Sequence, residues 1–183
     1  MLIDLGIYGY IEHGYCEPVA EALAGDAQFA KLFMKRAGRG DWADSFICLK
    51  DEQSRLRTRG NYWWKNVFCH ERRCKCPNLS GREIDILAVF QRLDGDRLGM
   101  HIECKHPTDT FSKGQASRYR ERLACWTDER KGPRTIPKHD AAVAILICDR
   151  SNRHAADDLS CFDAIIFFDE ISAHLPNYPK LPV

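Results

Sequence analysis

The strongest constraint in this chain is the stretch 81–105, where Ile84, Ile86, Leu87 and Val89 precede an Asp94-Gly95 step and Met100 and Ile102 follow it. Two apolar runs about such a turn dipeptide read as a β-hairpin. Among its charged residues, Asp85 lies on the first strand, and Glu103 and Lys105 lie near the end of the second. Side chains alternate faces along a strand, so Glu103 and Lys105 share a face while Cys104 points away. Asp85 joins that face only if the hairpin pairs residues whose numbers sum to an even value, such as 188 or 190. A three-residue loop over Asp94, Gly95 and Asp96 gives 190; a two-residue loop needs a bulge elsewhere.

A chain of 183 residues can build one domain with a substantial core. Its 44% apolar and 29% charged content argues against disorder. The net charge of +1 gives no global sign of nucleic-acid binding, so that case rests on local basic clusters. Residues 1–6 lack the basic and apolar regions of a signal peptide, and the longest apolar run, Ala141–Cys148, is too short to span a bilayer. A soluble protein with no membrane partner is expected. Nine cysteines is an odd count, and Cys104, Cys125 and Cys148 stand where small apolar residues belong. That usage fits free thiols in a reducing cytoplasm.

Residues 1–15 read as a short strand or extended arm. Pro18 after Glu17 marks a favoured first helical position; Val19, Ala20, Leu23 and Ala24 supply the apolar side, and Gly25 the stop. Asp26 caps a second helix whose stripe is Phe29, Ala30, Phe33, Met34 and Ala37. A strand is expected at 45–49, a polar and basic run over 51–61, a strand at 64–69 and a loop over 70–80. After the hairpin come a loop at 107–112, a helix at about 113–128 and a buried strand at 141–148. A short helix within 151–159, a strand at 164–168 and a coil tail at 175–183 complete the chain. This order gives one α/β domain over 1–183, a three-layer α/β/α arrangement with a mixed central sheet, in which 39–62 is an insertion or substrate-contact region.

Asp85 followed by Glu103-Cys104-Lys105 resembles the PD-(D/E)xK nuclease superfamily, although Ile84 stands where the motif's name has proline. Glu17, opening the first expected helix, is similar in position to the acidic residue that many members use as an extra metal ligand. Gln115 and Tyr119 have the Q-x-x-x-Y spacing, which resembles the helix after the catalytic lysine in RecB-type exonucleases. Over about 16–150 the order of elements resembles the family's restriction-endonuclease-like core. The resemblance implies a magnesium- or manganese-dependent deoxyribonuclease in a restriction, repair or defence setting. It implies Asp85, Glu103, Glu17 and the backbone carbonyl of Cys104 as metal ligands, with Lys105, Gln115 and Tyr119 completing the catalytic set.

The chemistry runs parallel to the resemblance. Phosphodiester hydrolysis needs an in-line water and stabilisation of charge on the phosphoryl and leaving oxygens, which hard cations on carboxylate ligands supply. Lys105 would orient or help deprotonate that water and offset phosphate charge. The plainer alternative is a surface ion-pair ladder. Strands that are apolar on both faces favour the site. Glu83 rivals Asp85 as a ligand, and Glu21 rivals Glu17.

Arg55, Arg57, Arg59 and Lys65 interleave with Tyr62, Trp63 and Trp64. That mixture suits phosphate neutralisation and base stacking, or a solvated loop leading to core tryptophans. Arg118, Arg120 and Arg122 lie off the apolar stripe of the Gln115 helix and either meet phosphates or are solvated. Cys69, His70, Cys74 and Cys76 offer donors for a structural zinc ion. Adjacent Cys69 and His70 do not easily share one tetrahedral ion, so the site would use Cys69, Cys74 and Cys76 with a distant fourth ligand; reduced loop cysteines are the alternative. His101 shares the face of Glu103, and His106 follows Lys105. DNA is the expected partner, and a homodimer is compatible with the chain. The rivals are an RNA-directed or structure-selective nuclease, a catalytically silent nucleic-acid-binding domain of the same fold, and a zinc-binding interaction module centred on 69–76.

Overall fold

The hairpin forms as β4 (Ile86–Arg92) and β5 (Arg97–Lys105), which pair Ile86 with Ile102 and Gln91 with Arg97. The loop is Leu93-Asp94-Gly95, one residue earlier than the sequence pattern indicates. Gly95 takes φ +98, the left-handed position that closes a three-residue loop, and Arg92 N donates to Asp96 O at 2.9 Å. The Asp94 carboxylate fixes the turn by accepting from Asp96 N and the Arg92 guanidinium. The pairing numbers sum to 188, the even parity expected, and the ladder ends at Ile86–Ile102 with Asp85 in the bend just beyond it.

The computed structural model describes residues 5–57, 62–65, 67–68, 83–128 and 132–179, with the side chains of all these except 5–11 and 68. Around the hairpin stand α1 (Leu5–Gly25), α2 (Ala27–Arg36), β1 (Phe46–Cys48), α3 (Lys50–Leu56), β2 (Val67–Phe68) and β3 (Glu83–Ile84) before it. After it come α4 (Gln115–Trp126), β6 (Ala141–Cys148), α5 (Ala156–Leu159), β7 (Ala164–Phe167) and α6 (Phe168–His174). The main sheet runs β1-β4-β5-β6-β7; β1, β4 and β5 are antiparallel neighbours, whereas β5, β6 and β7 are parallel. A small β2-β3 pair lies beside it.

Alternation along the strands sends side chains into two cores. Ile86, Ala88, Phe90, Met100, Ile102 and Cys104 pack against α1, α2 and α6. Leu87, Val89, Ala144 and Leu146 pack against Ala116, Tyr119 and Leu123 of α4. Helices therefore cover both faces of a mixed sheet, the three-layer α/β/α arrangement expected. Among the described residues no helix is long and apolar enough to cross a membrane.

Three expectations change. Residues 5–15 are not a strand but the first half of α1, which runs through Pro18. An interior proline costs about 3 kcal/mol, but the helix buries Tyr15, Cys16, Val19, Ala20 and Leu23 against the sheet. The first part of the 51–61 run is α3, and a further helix, α6, fills 168–174 between the expected final strand and the coil tail. The cysteines proposed for zinc, Cys69, Cys74 and Cys76, lie outside the described residues, as do His70 and Arg59. Cys16, Cys48, Cys104, Cys125, Cys148 and Cys161 are free thiols.

Gln53 on α3 fixes the start of β4. Its amide donates to Leu87 O at 2.9 Å and Trp63 O at 3.2 Å, and its oxygen accepts from Val89 N at 2.7 Å. Gln53→Leu leaves three buried backbone groups without these partners. It is expected to cost about 3 kcal/mol or more, since each unsatisfied buried group costs about 1–3 kcal/mol. Denaturant unfolding measures it.

Candidate active site

Glu103 leaves β5 toward α4 and is 2% exposed. A buried carboxylate must find donors, and α4 supplies two of them one turn apart. Tyr119 Oη donates to Oε2 at 2.5 Å, and Gln115 Nε2 donates to Oε1 at 2.6 Å. Lys105 Nζ lies 2.8 Å from the same Oε1 and 3.3 Å from Gln115 Oε1. The Q-x-x-x-Y spacing is thus a clamp on the motif glutamate, formed because residues four apart share a helix face. Burial, together with the Glu103 carboxylate, keeps the Tyr119 hydroxyl protonated, well above its ordinary pKa.

Asp85 occupies a bend between β3 and β4. Its Oδ2 accepts from Cys104 N at 2.8 Å, tying it to the second strand between Glu103 and Lys105. Burial, and then the nearby carboxylates Glu103 and Glu12, push its pKa well above the usual carboxylate range. The side chain nevertheless forms part of a pocket wall and is not sealed from water. For Lys105, burial opposes the charge, but Glu103 outweighs it and raises the pKa. The ammonium also sits 5.2 Å from the Phe111 ring centroid.

The pocket these residues line has a volume of about 310 Å³. Its carboxylates are Glu12, Glu83, Asp85, Glu103 and Asp109; its cations are Lys105, Arg118 and Arg122. The donor set is hard oxygen in excess of positive charge, which fits a hard divalent cation. No three His, Cys, Asp or Glu side chains among the described residues already meet at metal-ligand spacing.

The pocket gathers several of the residues expected from the sequence and leaves others out. Asp85, Glu103, Lys105, Gln115, Tyr119 and Arg118 all line the pocket, as does Cys104. Glu17 does not line it; it is half-buried and pairs with His13 at 3.5 Å. Glu12 lines the pocket instead. It shares the α1 face of Cys16, Val19, Ala20 and Leu23, a period visible in the sequence once the helix is extended back past Pro18. Glu21 is structural, accepting from Trp63 Nε1 at 2.8 Å and from Lys50 Nζ at 2.6 Å. Glu83 lines the pocket beside Asp85.

Trp63 and Trp64 are core residues, 5% and 0% exposed, so base stacking is left to Tyr62 alone in that run. Arg55 is exposed, Arg57 and Lys65 are half-buried, and none of the three lines the pocket. Arg120 pairs with Asp163 at 2.7 Å. Arg122 is buried, lies over the rings of Tyr119 and Trp126 at 4.8 and 5.8 Å, and has no hydrogen-bond partner at Nε or Nη1. Such stacking contributes about 0.5–2 kcal/mol, against about 1–3 kcal/mol for each unsatisfied donor. His101 is also buried, its Nε2 3.4 Å from His139 Nε2.

No family model, no curated protein and no solved structure matches the chain.

The folded chain holds the Asp85 proton more tightly than the unfolded chain does. In metal-free protein this contribution to stability is complete below the ordinary carboxylate range and is lost as pH rises through the raised value. Asp85→Asn keeps the acceptor for Cys104 N and removes the charge. It is expected to melt above wild type at about pH 8 in a chelator, with the gap closing toward about pH 4, as followed by calorimetry.

Proposed function

We propose that this chain is a metal-dependent nuclease of the PD-(D/E)xK kind, with a restriction-endonuclease-like core, that hydrolyses phosphodiester bonds in DNA. The observation that carries this reading is the convergence of Asp85, Glu103 and Lys105 on one pocket, through the even hairpin register. A bound magnesium or manganese ion supplies Lewis-acid stabilisation of phosphoryl and leaving oxygens and lowers the pKa of water. Asp85 and Glu103 would hold it, with the Cys104 carbonyl as a further oxygen donor. Glu12 replaces Glu17 as the α1 carboxylate available to extend the site.

The chain's own residues then have separable tasks. Gln115 and Tyr119 hold Glu103 in one orientation, so that little reorganisation accompanies ligation. Lys105 remains an ammonium, because Glu103 raises its pKa. Its task is therefore to orient water and offset charge on the phosphate, and not to accept the proton. The substrate is assigned as DNA by the resemblance, and the restriction, repair or defence setting by fold analogy. A homodimer and a cytoplasmic location belong to the same reading.

One observation favours a catalytically silent nucleic-acid-binding domain: Lys105 and Gln115 both occupy Glu103 Oε1, an oxygen that ligation would use. Cleavage separates the two. With magnesium or manganese, wild type is expected to cut supercoiled, linear or single-stranded DNA, with RNA as a parallel substrate. Lys105→Ala and Asp85→Ala are expected to lose roughly 100- to 1,000-fold in rate, the scale of removing one preorganised charge-stabilising group. Equal cutting by all three proteins would overturn the site, and no cutting of any substrate would favour the silent domain.

A further inference from the structure

The pocket is also lined by cations. Along α4, Gln115, Arg118, Tyr119 and Arg122 follow the i, i+3, i+4, i+7 pattern of one face and all line the pocket. Gln115 and Tyr119 are committed to Glu103. Arg118 is anchored to the start of its own helix, donating from Nη1 to Lys113 O at 3.1 Å and from Nη2 to Ser112 Oγ at 3.3 Å. Arg122 differs from its neighbours on that face. It is 1% exposed, yet Nε and Nη1 have no acceptor and no ion pair is formed with a described carboxylate. The rings of Tyr119 and Trp126 hold the guanidinium in place without using its hydrogen-bonding edges.

A buried guanidinium with idle donors is costly unless something supplies acceptors. A planar fork is matched best by an oxyanion that accepts two parallel hydrogen bonds, as phosphate does. We propose that Arg122 is the phosphate-binding residue of this pocket, receiving a substrate phosphate oxyanion. The proposal deepens the nuclease reading and rests on it for the source of that phosphate. Two sources share the chemistry: a terminal phosphomonoester at a strand end, and an internal phosphodiester of a strand lying through the pocket. The stacked aromatic rings make the residue a preorganised anchor, so that binding costs little side-chain ordering.

Metal-free binding tests this independently of cleavage. Thymidine 5′-monophosphate carries a terminal monoester, the dinucleoside thymidylyl-thymidine carries only an internal diester, and thymidine carries neither. Calorimetric titration of wild type is expected to show at least one phosphate-bearing probe binding about tenfold or more tightly than thymidine. Preference for the monophosphate assigns a strand end to the pocket, and preference for the diester assigns an internal phosphate. Arg122→Met fills the same space without charge and is expected to lose about tenfold or more in phosphate binding. It should melt at or above the wild-type temperature, because it removes an unpartnered buried charge.

A merely structural arginine would give the opposite pattern, a lower melting temperature with phosphate binding retained. That result, or the absence of phosphate binding by wild type, overturns the proposal. Should Arg122→Met fail to fold, Arg122→Lys decides. It keeps the charge and loses the fork, so weaker binding supports the proposal and wild-type binding overturns it. Phosphate binding without any nuclease activity would remove the nuclease reading and leave the phosphate subsite standing.

Discussion

The hairpin register governs everything else in the candidate site, because side chains on a strand have a period of two and cannot turn individually to the other face. With Ile86 opposite Ile102, Asp85 sits in the bend just past the ladder with its Oδ2 on Cys104 N, and Glu103 and Lys105 face α4. A slip of one residue in β5 would bury that pair in the apolar layer beneath α1 and present Ile102 and Cys104 to Gln115 and Tyr119. Two features hold the register. Gly95 closes the loop in a backbone conformation that side chains disfavour, and β5 is pinned on its other edge by eight residue pairs to β6. The antiparallel and parallel neighbours of β5 thus agree on one orientation for Glu103.

Within that frame the two motif carboxylates are treated differently. Glu103 is satisfied by two neutral donors and one ammonium, all within 2.8 Å. Asp85 receives one backbone N–H and faces Glu103 and Glu12, so burial and like charge act on it together. That imbalance gives the pocket its chemical character: fixed acidic oxygens, and the arginines of α4 that line the same pocket. A divalent cation among the first and a phosphate near the second would answer both.

Much of this was legible in the sequence because its signals are local. Apolar runs on either side of Asp94-Gly95 identified the hairpin, the run Ala141–Cys148 identified a buried strand, and Gln115 with Tyr119 announced a shared helix face. What remained hidden depended on tertiary contacts. Pro18 is an ordinary helix-start signal, yet packing of Tyr15 and Cys16 carries α1 back past it and brings Glu12, not Glu17, to the pocket. The α3 sequence has no apolar stripe to mark it; Gln53, its buried residue, earns its place through backbone hydrogen bonds that no periodicity shows. Arg122 was assigned away from the apolar stripe because a cation is not counted in one, although its spacing from Gln115 and Tyr119 already put it on their face.

The central claim is that these carboxylates form a divalent-cation site, and direct manganese titration tests it most simply. Metal-free protein is titrated with manganese and followed by calorimetry or by the loss of the free-ion electron-spin signal. Wild type is expected to bind manganese at this site, with binding abolished or weakened about tenfold or more in both Asp85→Asn and Glu103→Gln, as expected when an anionic ligand is removed. Absence of binding by folded wild type, or equal binding by both variants, would contradict the account.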